Sequence, residues 1–402
     1  MSDTERKYDV VVFGATGFTG TLVAEYLLRQ YGAGGDLRWA LAGRSKSKLD
    51  SVREALGADA ASIDILVANS NNEAALAEVA ASTSVVLTTV GPYALYGSKL
   101  VAACVEAGTH YCDLAGEAQW IRRMIDKHQA RAEATGARIV NCCGFDSVPS
   151  DMGVWHLQTE AKKRFGEYCK RISLLVKATK GTASGGTLAS MMNLIKEARA
   201  DKETAKYLVH PYSLNPEGER NGPDGRDQQG VRFREDVGYW TAPFVMAGIN
   251  TKVVRRSHAL LGYPWGKEFR YDESVIAGRG FGGWLKGFMM TTALGLVVLG
   301  ASFSWTRRFM QRFVLAKPGE GPDRELQRTG FFNLLQVGTL PDGSTVRGKI
   351  TGDQDPGYGS TSKMLSECAV CLAKDELTSP GGILTPASAM AEPLLKRLRD
   401  NA

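Results

Sequence analysis

Three glycines carry the first chemical signal in this chain. They stand in the run Gly14-Ala-Thr-Gly17-Phe-Thr-Gly20. The run follows Tyr8–Phe13, an apolar stretch that reads as a buried parallel strand. It opens Thr19–Gln30, where Leu22, Val23, Tyr26 and Leu27 recur at helical spacing. Glycines so spaced allow a tight turn, close approach of backbone to a pyrophosphate, and close packing of helix on strand. The helix N-terminus adds free N–H groups and a positive dipole end. In this strand–turn–helix setting the spacing points to a dinucleotide site lined by Gly14, Thr16, Gly17, Phe18, Thr19 and Gly20.

The next strand end chooses between cofactors. An acidic residue there would hold a ribose 2′-hydroxyl. Leu37–Leu49 contains no acid and reads Arg44-Ser45-Lys46 after the strand, with Lys48 following. Arg44, Ser45 and Lys48 suit a 2′-phosphate, so NADP(H) is expected over NAD(H). The alternative is a solvated basic turn. A later strand ends Thr88-Thr89-Val90-Gly91-Pro92-Tyr93. Ligands of doubly wound sheets lie outside the carboxyl ends of strands, which puts Thr89 and Gly91 beside the cofactor. Tyr93 and Tyr96 either face the site or serve as packing. Asp146 and Ser147, in the later run Gly144-Phe-Asp-Ser-Val-Pro, join these tyrosines as candidate proton donors or positioning groups. Short-chain dehydrogenases need Tyr and Lys four apart on one helix. Here that spacing occurs at Tyr263 and Lys267, with Pro264 and Gly266 between them, which disfavours that class.

The elements that must position these residues alternate. Strands are expected at Leu37–Ala42, Asp64–Ala68, Val85–Val90, His110–Leu114 and Ala137–Cys142. Helices are expected at Lys46–Leu56, Glu73–Ala80, Lys99–Ala107 and Ala118–Thr135. Such alternation builds βαβ units and a parallel sheet over residues 1–150. The stretch 151–330 reads as a mixed α+β substrate or dimerisation domain, and 331–402 as a segment packing back on the body. Arg171–Thr179 reads as a strand. The glycine-rich run Lys180–Gly186 then opens a helix at Thr187, a second candidate anion site. Residues 213–238 read as a long surface loop, and Asn250–Arg256 and Glu268–Ala277 as strand-rich.

Composition sets the outer bounds. The chain has 402 residues, 44% hydrophobic and 23% charged, with formal net charge +6. This excludes a disordered chain and a polytopic membrane protein. The balance is too mild to indicate nucleic acid and is compatible with anionic substrates or an anionic membrane surface. Met1–Lys7 is polar with no apolar core, so a secretory leader is not expected and a cytoplasmic setting with reduced thiols is. Cys368 and Cys371 form a CxxC without a second pair at ligand spacing, so buried thiols are expected and no metal site.

Beyond these readings the chain resembles the saccharopine dehydrogenase-like oxidoreductases, and within them the trans-acting enoyl reductases of polyketide-lipid synthesis. The resemblance rests on GATGFTG (14–20), ALAGRS (40–45), VVLTTVGPY (85–93), YGSKLVAAC (96–104), CGFDSVPSD (143–151), SGGT (184–187), NTKVVRRSHAL (250–260) and GILTPASAM (382–390). It implies a Rossmann-type doubly wound N-terminal sheet followed by a mixed α+β domain. It also implies NADPH chemistry on a double bond in a lipid-like acyl thioester, supplied in trans to an acyl carrier or polyketide synthase partner. Saccharopine-type amino-acid or imine chemistry is the alternative within the fold; it needs a cationic pocket, for which Arg255 and Arg256 are the cations at hand. A non-catalytic NADP(H)-binding, membrane-associated protein is the alternative outside it.

One segment stands apart. Gly287–Thr306 is twenty residues without a charge, flanked by Trp284 and Trp305 and followed by Arg307, Arg308, Arg312 and Lys317. The pattern admits a membrane span, insertion at a membrane surface or a lipid-chain tunnel, or a buried or homodimer-interface helix.

Overall fold

The computed structural model describes residues 6–181, 185–303, 321 and 323–401. The chain divides into two units. One holds the chain up to Val148 together with Gly321 and 357 onward, and the other holds the other described residues between Pro149 and Pro356.

The first unit is the expected alternation. Its strands are β1 (Tyr8–Phe13), β2 (Trp39–Gly43), β3 (Asp64–Val67), β4 (Thr83–Thr88), β5 (His110–Cys112) and β6 (Arg138–Val140). Its helices are α1 (Phe18–Tyr31), α2 (Lys46–Ala55), α3 (Glu73–Ser82), α4 (Tyr93–Tyr96), α5 (Ser98–Ala107) and α6 (Ala118–Thr135). Every residue of β1 and β2 is buried, which is why these strands read as near-continuous apolar runs rather than alternating ones; the exception, Asp9, is paired with Arg38 and Lys374. β1 lies between β2 and β4, parallel to both, with Phe13 opposite Ala42 and Thr88. The direction of strand addition therefore reverses at β1, and a crevice opens at its carboxyl end between β1 and β4.

The second unit begins on α7 (Val148–Phe165) and builds a mixed sheet. Its elements are β7 (Arg171–Lys180), α8 (Gly185–Ala200), α9 (Lys202–Val209), β8 (Arg232–Arg234), β9 (Tyr239–Pro243), α10 (Ala247–Leu260), β10 (Arg270–Gly278), α11 (Gly280–Ser302), α12 (Arg324–Thr329), β11 (Phe331–Thr339) and β12 (Thr345–Gly352). The strand order is β12-β11-β7-β10-β9-β8. Asn250–Arg256, expected as strand, is the middle of α10. Its Thr and Val residues favour strand locally. Burial around the whole helix, including Asn250, Lys252, Val253, Val254 and Arg256, overrides that preference. Ser184 of the second glycine-rich turn, with its neighbours at 182 and 183, lies outside the described residues, and α8 begins at Gly185.

The chain then returns to the first unit with α13 (Gly359–Lys374), β13 (Gly382–Leu384) and α14 (Pro386–Asp400). β13 adds a seventh parallel strand beside β6, Ile383 opposite Ile139. α13 packs on α1 through buried Glu367, which accepts from the hydroxyls of Tyr26 (2.7 Å) and Tyr31 (2.7 Å). Arg138 on β6 donates to Leu377 O and Ser379 O, fixing the approach to β13. All seven cysteines are free and buried, with Cys368 and Cys371 inside α13.

The apolar segment forms most of α11, and this helix is exposed. Only 11% of its apolar window is buried. A core helix is thereby excluded. Trp305, Arg307, Arg308, Arg312 and Lys317 lie outside the described residues.

Candidate active site

The glycine turn sits at the carboxyl end of β1. Gly14 has φ +93°, a conformation that a side chain opposes. A Cβ on Gly14 would stand 2.6 Å from the Val90 side chain and 3.0 Å from Thr89 Oγ1. A Cβ on Gly20 would stand 2.2 Å from Gly14 O. Those two glycines are therefore required by packing of the turn against β4 and α1. Gly17 differs, since it is exposed and its Cβ would meet only Gly14 O, at 3.3 Å. It caps α1 without a side-chain hydrogen bond, and the first turn of α1 carries no acid. The N–H groups of Phe18, Thr19 and Gly20 thus begin a helix beside an exposed glycine, an arrangement that accepts a phosphate. Thr16, Phe18 and Thr19 are half-buried around it. Thr89 closes the far wall by donating its hydroxyl to Gly14 O at 3.2 Å.

Arg44 follows β2 directly and is exposed, and Ser45 caps α2 without using its hydroxyl in the cap. Lys46 is paired with Asp50 at 3.0 Å. Among the described residues Arg44 and Lys48 form no ion pair, and α2 has no acid in its first turn. Two cations, a hydroxyl and a helix N-terminus converge at the position where a 2′-phosphate would lie. The residues present fit NADP(H).

The β4–α4 turn is held from beneath. Glu117 is fully buried and accepts from the N–H groups of Tyr93 (2.7 Å) and Ala94 (3.0 Å), which caps α4 with a carboxylate. Tyr93 is buried, donates to Thr88 O at 3.2 Å and accepts from Leu114 N at 3.1 Å. Burial, with Asp113 nearby, holds its phenol well above the usual range. Its hydroxyl thus ties the end of β4 to the turn after β5. Tyr96, three residues on, is 41% exposed. Gly91 is exposed at the turn itself.

The turn after β6 carries Asp146 and Ser147. Ser147 is buried and its N–H closes a turn on Gly144 O at 3.2 Å. Asp146 is half-buried at the same turn, and burial raises its carboxyl to about 6. A group titrating there exchanges protons near neutrality. Asp146 also raises the Tyr93 phenol, so the two candidates share one field, whereas Tyr96 stands apart at the surface.

Asp113 and Glu117 did not emerge from sequence reasoning. Asp113 is fully buried, with its carboxyl raised to about 6 by burial. It accepts from Ala115 N (2.9 Å), Asn141 Nδ2 (2.8 Å), Cys142 N (3.2 Å) and the Tyr111 hydroxyl (2.9 Å). It thereby binds the ends of β5 and β6 together. The available signal was an acid directly after an apolar strand, where burial without partners would be costly.

In the second unit the cations of α10 are already engaged. Arg255 donates to Asp224 (2.8 Å), Pro211 O (3.2 Å) and Tyr271 O (3.1 Å). Arg256 is buried and donates to Leu214 O. Lys252 is buried with its ammonium on Gly248 O at 2.9 Å, and desolvation lowers it to about 8.

A parallel sheet with its glycine turn at the switch point, a helix N-terminus and a basic 2′-phosphate corner defines a dinucleotide-binding oxidoreductase. Residues 10–140 match the saccharopine dehydrogenase NADP binding domain, so the first unit binds NADP. Over 99% of its length the chain is 41% identical to a Mycobacterium tuberculosis protein named as a candidate trans-acting enoyl reductase, covering 97% of that protein. It is 38% identical, with the same coverage of both chains, to proteins named trans-acting enoyl reductase in Mycobacterium tuberculosis and Mycobacterium ulcerans. This chain belongs to that family. A solved apo saccharopine dehydrogenase (L-Glu forming) from Saccharomyces cerevisiae shares the fold, with TM-score 0.52, 11% identity, and coverage of 98% of this chain and 97% of that one.

Proposed function

We propose that this protein uses NADPH to reduce a carbon–carbon double bond in a thioester-bound acyl chain, acting in trans on a chain carried by a separate synthase. The observation that carries the reading is the full-length kinship to proteins named for that activity, on a chain whose glycine cradle and Arg44 corner fit the cofactor. NADPH, when bound, supplies the hydride delivered to the β-carbon. The electron pair then moves to the thioester oxygen and a proton is added at the α-carbon. The chain's part is proximity and charge. The carboxyl ends of β4, β5 and β6 gather Thr89, Tyr93, Asp113 and Asp146 at the end of the sheet where ligands bind. Of the candidates Asp146 is best suited to exchange the proton, because its carboxyl titrates near neutrality and remains partly exposed. Tyr93 and Glu117 position the turn.

The amino-acid alternative is less well supported. It needs free cations to clamp carboxylates, and Arg255 and Arg256 are buried with donors engaged inside their own unit. The test is NADPH oxidation with enoyl thioesters of rising chain length, beside pairs of 2-oxo acids and amines. Turnover of enoyl thioesters, improving with chain length, is expected. Turnover confined to the 2-oxo acid pairs would overturn the proposal. NADPH binding without turnover of any substrate, with the partner synthase present, would leave only the binding protein.

A further inference from the structure

The helix α11 is apolar on more sides than a folded chain normally exposes. Phe281 is 74% exposed and Leu296 63%, with Leu285, Phe288, Met289 and Leu299 also exposed. Its first turns are anchored. A Cβ on Gly283 would stand 2.3 Å from Gly278 C, and one on Gly287 3.3 Å from Ala277 Cβ. Past that anchor the five successive residues Gly295–Leu299 are all exposed. Five residues exceed one helical turn, so this part of the helix is exposed all round. A second protein covers one side of a helix, whereas acyl chains cover all of it.

Sheet topology decides how such a helix meets a bilayer. β10 runs parallel to β7, with Val275 opposite Val176. β11 runs antiparallel to β7, with Phe331 opposite Lys180. The chain thus leaves the sheet after Gly278 and re-enters at Phe331 at the same end. One crossing cannot achieve this, and Arg307, Arg308, Arg312 and Lys317 break any second apolar run. The span reading is replaced by entry and return on one side.

That end of the sheet is also basic and aromatic. Arg279 and Lys286 flank the start of α11, and exposed Lys177, Lys180 and Arg232 share the sheet end. The acids at this end are Asp323 and Glu325 before β11, Asp353 after β12, and Glu235 and Asp236 after β8, with Asp236 paired with Arg234 at 2.5 Å; Arg324 and Arg328 of α12 add to the cations. Phe281, Trp284 and Phe288 stack in sequence, at 5.6 and 5.7 Å between ring centroids. Aromatic rings beside cations suit the headgroup boundary of an anionic membrane.

We infer that α11 inserts from one side into an anionic lipid surface and holds the second unit there. The helix is about 35 Å long, ample for burial in one leaflet. The test is co-sedimentation of the full chain with vesicles of phosphatidylcholine alone or with phosphatidylglycerol added, alongside light scattering. Pelleting is expected with the anionic vesicles, weakening as salt rises. The double substitution Leu296→Glu and Leu299→Glu touches only exposed positions. It is expected to reduce vesicle binding about tenfold or more while leaving NADPH affinity and thermal stability unchanged. Phe165→Glu, exposed elsewhere in the unit, is expected to leave vesicle binding intact. Absence of pelleting, or pelleting indifferent to the double substitution, would overturn the inference. A dimer that the same substitutions split, without vesicle binding, would overturn it in favour of a second copy.

Discussion

At the residue scale the cofactor corner makes a sharp prediction. Arg44 is exposed, free of ion pairs among the described residues, and useful only to an anion. A charge-assisted contact contributes about 1.5–3 kcal/mol. Arg44→Ala is therefore expected to weaken NADPH binding by roughly ten- to a hundredfold and NADH binding hardly at all. Fluorescence titration of both nucleotides checks it, and equal losses would remove the 2′-phosphate assignment. The glycines were legible because their spacing is local, and so was the absence of an acid after β2. The buried supports were not. Nothing in the sequence pairs Glu117 with the N–H of Tyr93 across twenty-four positions, or Asp113 with Asn141 across twenty-eight.

At the element scale the strands and helices of the first unit were legible, with Ala118–Thr135 read to its termini, because buried parallel strands and amphipathic helices announce themselves by period. α10 was misread because buried polar side chains erase that period. The last helix illustrates a local device with a distant effect. Thr385 Oγ1 accepts from Ser388 N, and Ser388 Oγ accepts from Thr385 N, a capping box that starts α14 directly after β13. Thr385→Ala is expected to cost about 1 kcal/mol. Thermal unfolding should show the midpoint falling by a few degrees, and NADPH binding should persist.

At the scale of the whole molecule, buried acids make stability depend on pH. Glu273 is fully buried in the second unit, accepting from the Tyr271 hydroxyl (2.7 Å) and Asn250 Nδ2 (3.0 Å). Burial raises its carboxyl from an ordinary 4.5 to about 7. The folded state thus keeps a proton that the unfolded chain releases. Its stabilising contribution is complete below about pH 4.5 and is lost as pH rises to 7. The loss is roughly 3 kcal/mol above that range. Glu273→Gln keeps an acceptor and a donor for the two partners. It is expected to raise the unfolding midpoint at pH 8 relative to the parent and to change it little at pH 5. A parallel shift at both pH values would show that the proton is not the cause.

The sequence by itself determined the cofactor turn, the alternation of the first unit and the existence of an unusual apolar segment, because each depends on neighbours along the chain. Only the tertiary structure decided what surrounds them. It placed residues 357 onward back in the first unit, with β13 beside β6. It spent Arg255 and Arg256 on internal partners. It also showed that the strand leading into α11 ends, and β11 begins, at the same end of one sheet. Each of these is a pairing of distant segments, and strand order and burial are properties of such pairings rather than of any local run.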